Sequence, residues 1–231
     1  MNVLVPSASE DLPQMHVRHV FLALLALAMV ASAQQATLDG SFQVRYAANL
    51  PVGESFINIT NTGANGAPLL GPGFGPQVGN ICVNVYTFSP DEQMISCCSC
   101  LVTPNGLVNL GVNRDLTSKT LTGVIPSSVV IKLLATLAGT DGTGTSCDGT
   151  AARVRFLTRV NGMLAWGTTN HVNPSGVYSV TETPFSPATL STGENSELAS
   201  LGGRCASMMG NGSGYGICKS CQVGALGAAR M

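Results

Sequence analysis

Charge is scarce in this sequence. Only 10% of its 231 residues are Asp, Glu, Lys or Arg, and eleven basic side chains stand against twelve acidic ones. No cluster of Lys and Arg is present to neutralise a phosphate backbone or to read base edges, so nucleic acid is not an expected partner. The same shortage excludes a polybasic membrane patch. Aromatic residues are few (5%), with a single tryptophan, and there are only three histidines. No G-x-S-x-G, H-E-x-x-H or Walker pattern occurs in a setting that would confirm it, and Gly71-Pro72-Gly73-Phe74-Gly75 is not followed by a helix signal that would cradle phosphate. A stretch of about 20 apolar residues, the length that spans a bilayer, is also missing.

Phe21–Val30 is an apolar run of ten, followed by Ala31-Ser32-Ala33 and then the polar Gln34-Gln35. A short hydrophobic segment closed by an A-x-A site is the pattern of a secretory signal peptide. Residues 1–33 are therefore expected to be removed, leaving no stable membrane span. Glu10 and Asp11 precede the run without a basic residue among the first fourteen positions, whereas a start at Met15 gives a leader carrying His16, Arg18 and His19. Met15 is the expected true start. The product, residues 34–231, is expected to be one secreted or periplasmic domain, long enough to bury a core. His171 is the only histidine left in it.

All eight cysteines lie in that product: Cys82, Cys97, Cys98, Cys100, Cys147, Cys205, Cys218 and Cys221. An even number outside the cytosol reads as disulfides, whose connectivity sequence does not give. Cys97 and Cys98 are neighbours, so on a strand they point to opposite faces and should take different partners. A second reading assigns Cys97, Cys98, Cys100, Cys218 and Cys221 to a metal site of tetrahedral thiolates, or Cys218-x-x-Cys221 to a redox pair. No cofactor is otherwise indicated.

Strand-like alternation marks Phe42–Ala47, Ser55–Thr60, Ile81–Phe88, Gln93–Val102, Leu107–Val112, Arg153–Val160, Leu164–Gly167 and Gly176–Thr183. Thr103-Pro104-Asn105-Gly106 predicts a hairpin between the fourth and fifth of these. Ser127–Leu137 is apolar and β-branched at its start, which favours a strand buried on both faces, with a short helix as the alternative. Leu198, Leu201, Cys205 and Met208 recur at helical spacing, with Ser191 and Glu194 as a capping box and Gly210 as the stop. The expected fold is mainly β, an antiparallel sandwich or barrel-like domain with one C-terminal helix, stapled by disulfides.

The phrases NICVNVYTFSPDEQ (residues 80–93), SCCSCLVTPNGLV (96–108), VTETPFSPATLS (180–191) and NGSGYGICKSC (211–221) resemble an uncharacterised family of secreted, cysteine-rich bacterial proteins. The resemblance covers most of the chain from about Arg45 onward. It implies export and carries no assigned activity. The function expected is therefore a structural, surface or binding role, with no catalytic residue nominated. A third reading, a secreted hydrolase, would need facing carboxylates, for which Glu54, Asp115 and Glu182 are the candidates. His171, close after Trp166, is expected in an exposed loop.

Overall fold

The computed structural model describes residues 40–70, 75–172, 175–176 and 178–218. The expected leader and Cys221 lie outside them. Nine strands form two antiparallel sheets. The first has the order β4-β3-β6-β1-β9, from β1 (Phe42–Ala47), β3 (Ile81–Phe88), β4 (Met94–Val102), β6 (Val129–Leu137) and the two-residue β9 (Ser186–Pro187). The second has the order β5-β2-β7-β8, from β2 (Ser55–Asn61), β5 (Leu107–Gly111), β7 (Met163–Val172) and β8 (Tyr178–Pro184).

Period-two alternation decides which side chains meet between the sheets. Ile57 and Ile59 of β2, Val108 and Leu110 of β5 and Ala165 of β7 face Ile81, Val83 and Val85 of β3 and Ile131 and Leu133 of β6 in one apolar core. This is a sandwich, and neither sheet closes into a barrel among the described residues.

A third layer covers the other side of the five-stranded sheet. It consists of a one-turn helix, α1 (Thr150–Arg153), and the C-terminal helix α2 (Glu197–Gly210). Leu201, Cys205 and Met208 of α2 pack with Ala151 and Val154 against Phe42, Tyr86, Cys97 and Leu134 of the sheet. The expected helical stripe is thus the buried one. At Gly202 a Cβ would stand 3.4 Å from the Ala152 carbonyl oxygen and from Val154, an ordinary contact distance, so the helix passes close to this segment without requiring a glycine there. The cap differs from expectation. Ser196 is the N-cap, its hydroxyl accepting from the Ala199 N–H at 3.2 Å, while the Ser191 hydroxyl accepts from the Glu197 N–H at 2.9 Å. Two first-turn donors are satisfied this way, and Glu194 is not part of the cap.

Two further expectations are corrected. The Thr103–Gly106 turn forms, with the Gly106 N–H donating to the Thr103 carbonyl at 2.8 Å and Asn105 left-handed at φ 61°. It does not make a hairpin, because β4 belongs to one sheet and β5 to the other. The apolar faces of both strands need the same core, and a corner that carries the chain across the sandwich supplies it to each. Residues 153–160 are not a strand either. The Ala151 N–H donates to the Ser99 hydroxyl (2.8 Å) and the Ala151 carbonyl accepts from the Tyr86 hydroxyl (2.9 Å), which holds this segment in α1 and a following turn, Val154–Phe156. Tertiary hydrogen bonds override a β-like pattern here. Only its end returns to the sheet, where Arg159 bridges Thr136.

Candidate functional site

The cysteines were the strongest chemical signal in the sequence, and β4 gathers four of the described seven elements of it: Cys97 and Cys98 side by side, Cys100 two positions on, and the chain around Cys218 alongside. Three disulfides join Cys82 to Cys147, Cys97 to Cys205 and Cys98 to Cys218. Neighbouring Cys97 and Cys98 do face opposite ways. Cys97 ties β4 to α2 in the outer layer, and Cys98 lies with Cys218 at the margin of the inter-sheet core. Cys82–Cys147 pins the loop that precedes α1. Cys100 is also disulfide-bonded.

These bonds bear directly on the metal and redox alternatives. Cys218 is joined to Cys98, so Cys218-x-x-Cys221 is not an internal redox pair in this form. Cys97, Cys98 and Cys218 carry no thiolate to offer a metal. Among the described residues no group of three or more His, Cys, Asp and Glu is arranged to hold an ion. A cleft of about 90 Å³ opens beside these bonds, lined by Cys97, Cys98, Ser99, Asp148, Met209 and Ile217. That is well below the ~300–1,000 Å³ of organic-ligand sites.

A larger hollow of about 320 Å³ lies between α2 and the β3–β4 end. Phe88 forms its floor, with the Lys132 ammonium 4.8 Å and the Arg204 guanidinium carbon 5.9 Å from the ring centre. Both cations already have partners. Lys132 pairs with Glu197 at 2.5 Å, and Arg204 donates to the Glu92 carbonyl at 2.8 Å. The arrangement clamps the helix to the sheet through cation–π and ionic contacts.

Of the carboxylates nominated for hydrolysis, Glu54 and Asp115 meet at one turn and Glu182 lies apart. Glu54 accepts from the backbone N–H groups of Asn113 (2.7 Å) and Arg114 (3.1 Å). The buried Asp115 carboxylate accepts from the Gly111 N–H at 2.7 Å and from the Arg114 guanidinium at 2.8 Å. Both therefore satisfy the tight turn Val112–Leu116 that follows β5. Glu182 is elsewhere, exposed on the outer face of β8, where it accepts from the Thr168 hydroxyl at 3.1 Å. Glu54 and Asp115 are thus engaged by backbone donors of the turn, which accounts for both without a substrate.

The outer face of the four-stranded sheet has no layer over it among the described residues. A chain of side-chain hydrogen bonds crosses all four strands: Asn109 donates to Asn58 (2.7 Å), Asn58 to Thr168 (2.9 Å) and Thr168 to Glu182. Trp166, opposite Asn58 in register, lies on this face, flanked by the exposed Leu164 and Leu107. His171 is in β7 and not in a loop, and its Nε2 lies 3.0 Å from the Thr181 hydroxyl.

No protein-family model, no curated protein and no solved structure matches this chain.

Proposed function

We propose that this chain is an exported β-sandwich with a structural, surface or binding role, held in shape by its disulfides and not performing catalysis. The observation that carries this is the cysteine bonding. Links spanning 65, 108 and 120 positions tie the loop before α1, helix α2 and the C-terminal segment to β3 and β4. Such bonds persist in oxidising compartments and are reduced in the cytosol. The A-x-A leader and the phrases that resemble secreted cysteine-rich proteins support the same compartment. A binding role is favoured over a purely mechanical one by the uncovered sheet face carrying Trp166 and the Asn109–Asn58–Thr168–Glu182 chain, since aromatic rings beside ordered polar groups are typical of recognition surfaces.

The test is fractionation of cells expressing the full chain, with thiols alkylated before lysis and metal measured on the purified product. Recovery outside the cytoplasm with no alkylated cysteine and no bound metal supports the proposal. A cytoplasmic product with reactive thiols, or one loaded with zinc, would replace it with the thiol or metal reading.

A further inference from the structure

Arg45 lies in the middle of β1. Alternation along β1 turns Gln43, Arg45 and Ala47 toward the four-stranded sheet. Gln43 reaches the Met163 carbonyl of β7 at 2.8 Å, and Arg45 crosses to the same strand, where Nη2 donates to the Thr169 hydroxyl oxygen at 3.0 Å. The guanidinium occupies the space that a side chain at position 167 would fill. A Cβ built on Gly167 would fall 0.6 Å from Nη1 and 1.6 Å from Cζ. Glycine is the one residue that leaves room for this cation.

The cation is poorly answered. Nη1 is buried with no acceptor. The two ion pairs among the described residues, Arg114–Asp115 and Lys132–Glu197, use other cations. Desolvation pulls the Arg45 pKa below its ordinary value, yet guanidinium remains charged at any physiological pH. A buried charged donor without a partner is costly, and such a group in a native fold calls for an ion or water that completes it.

The neighbouring groups are donors without negative charge. The Thr169 hydroxyl accepts from Arg45, which leaves its own proton to give. Thr181 stands opposite Thr169 in register and Thr183 opposite Gly167, so both share the face of β7–β8 toward which Arg45 points. His171, two residues beyond Thr169, shares that face and meets Thr181. The face is open at this end because β9, the edge of the other sheet, is only two residues long, and His171, Thr181 and Thr183 are exposed. Glu182 alternates to the opposite side. This face of β7–β8 therefore carries a cation, hydroxyl donors and an imidazole, with no carboxylate turned to it among the described residues.

We propose that Arg45, Thr169, His171 and Thr181 bind a small oxyanion, a phosphate, sulfate or carboxylate group, at the open end of the sandwich. The anion supplies the acceptor that the guanidinium lacks. Planar, multi-donor recognition of this kind is what arginine does better than lysine.

The probes are sodium phosphate, sodium sulfate and sodium acetate, titrated into the oxidised protein at constant ionic strength against sodium chloride. Amide and imidazole NMR shifts and the thermal midpoint are followed. Saturable shifts centred on Thr169, His171 and Thr181, with a rise in midpoint absent in chloride, are expected. Which of the three salts saturates distinguishes a tetrahedral anion from a carboxylate. Arg45→Gln should weaken binding at least tenfold. Because that variant removes a contact between the sheets, Thr169→Val and the exposed His171→Ala provide folded alternatives, each expected to weaken binding severalfold. Equal responses to chloride, no saturation, or unchanged affinity in Thr169→Val and His171→Ala would each overturn the proposal. So would a crystal grown in sulfate with only water beside Nη1.

Discussion

Removing Cys82–Cys147 should destabilise the domain more than removing Cys97–Cys205, although the latter spans the longer stretch of chain. In the loop-entropy model a crosslink stabilises by restricting the unfolded chain, more so for larger loops. Taken singly, separations of 65 and 108 give about 4.3 and about 4.8 kcal/mol. The bonds are not independent, however. Cys97 is adjacent to Cys98, and Cys205 is thirteen positions before Cys218. With Cys98–Cys218 in place, the extra loop closed by Cys97–Cys205 shrinks to about 15 residues, worth about 3 kcal/mol. No such shortcut shortens the Cys82–Cys147 loop, because the route through Cys97–Cys205 is longer than the direct one. Cys82 and Cys147 in one variant, and Cys97 and Cys205 in another, are replaced by Ala in pairs. All but Cys147, itself only 6% exposed, are fully buried, so the cavity terms largely cancel. Urea unfolding without reductant, extrapolated linearly, reads the difference. The expected result is a loss larger by about 1 kcal/mol in the Cys82/Cys147 variant, or roughly 2–4 °C in the midpoint for a domain of this size. A Cys97/Cys205 variant weaker than the other by that margin would refute the coupling argument.

Tyr86 gives a pH signature. Its hydroxyl is fully buried on the Ala151 carbonyl, and burial pushes its pKa well above the ordinary phenol value. In the unfolded chain it ionises near pH 10, so its stabilisation is complete below that pH and is lost above it at about 1.4 kcal/mol per pH unit. Tyr86→Phe should abolish that share of the alkaline slope and lower neutral stability by about 1 kcal/mol, measured by denaturation from pH 8 to 11. Asp115→Ala should cost about 1–3 kcal/mol, because it strands the buried Gly111 N–H, whereas loss of the exposed Arg114 partner alone should cost less than about 1 kcal/mol. Non-reducing peptide mapping should recover the three linked pairs given above.

Local patterns made much of this architecture legible. Alternation located the strands from Phe42 to Gly111 almost to their ends, and helical spacing picked the buried side of α2. It failed where the decision is made by a distant partner. Val154 and Phe156 alternate like a strand, but Ser99 and Tyr86 claim the backbone beside them, and neither is visible from position 154. The TPNG turn was correctly placed, yet a four-residue signal does not say whether the strands it joins share a sheet. Alternation puts Asn84 of β3 on the side away from the inter-sheet core, and it is buried there too, accepting from the hydroxyls of Ser99 (2.8 Å) and Thr150 (2.7 Å). The opposed directions of Cys97 and Cys98 followed from strand geometry, whereas their partners, 108 and 120 positions away, did not. The place of Arg45 is illegible locally for the same reason: the glycine that makes room for it and the threonine it touches are more than a hundred residues downstream.

The segment ending at Cys218 runs alongside β4, with the Cys97 N–H donating to the Gly216 carbonyl at 2.9 Å and Ile217 bridging Cys97. A ribosome or a translocation pore delivers residues in order, so β4 emerges long before the stretch that shields its free side. Through that interval its unpaired amides are open to the same strand of another copy. Chains stopped short of Gly216 should therefore self-associate as they are produced, and a holding chaperone would be needed most while those last residues are awaited.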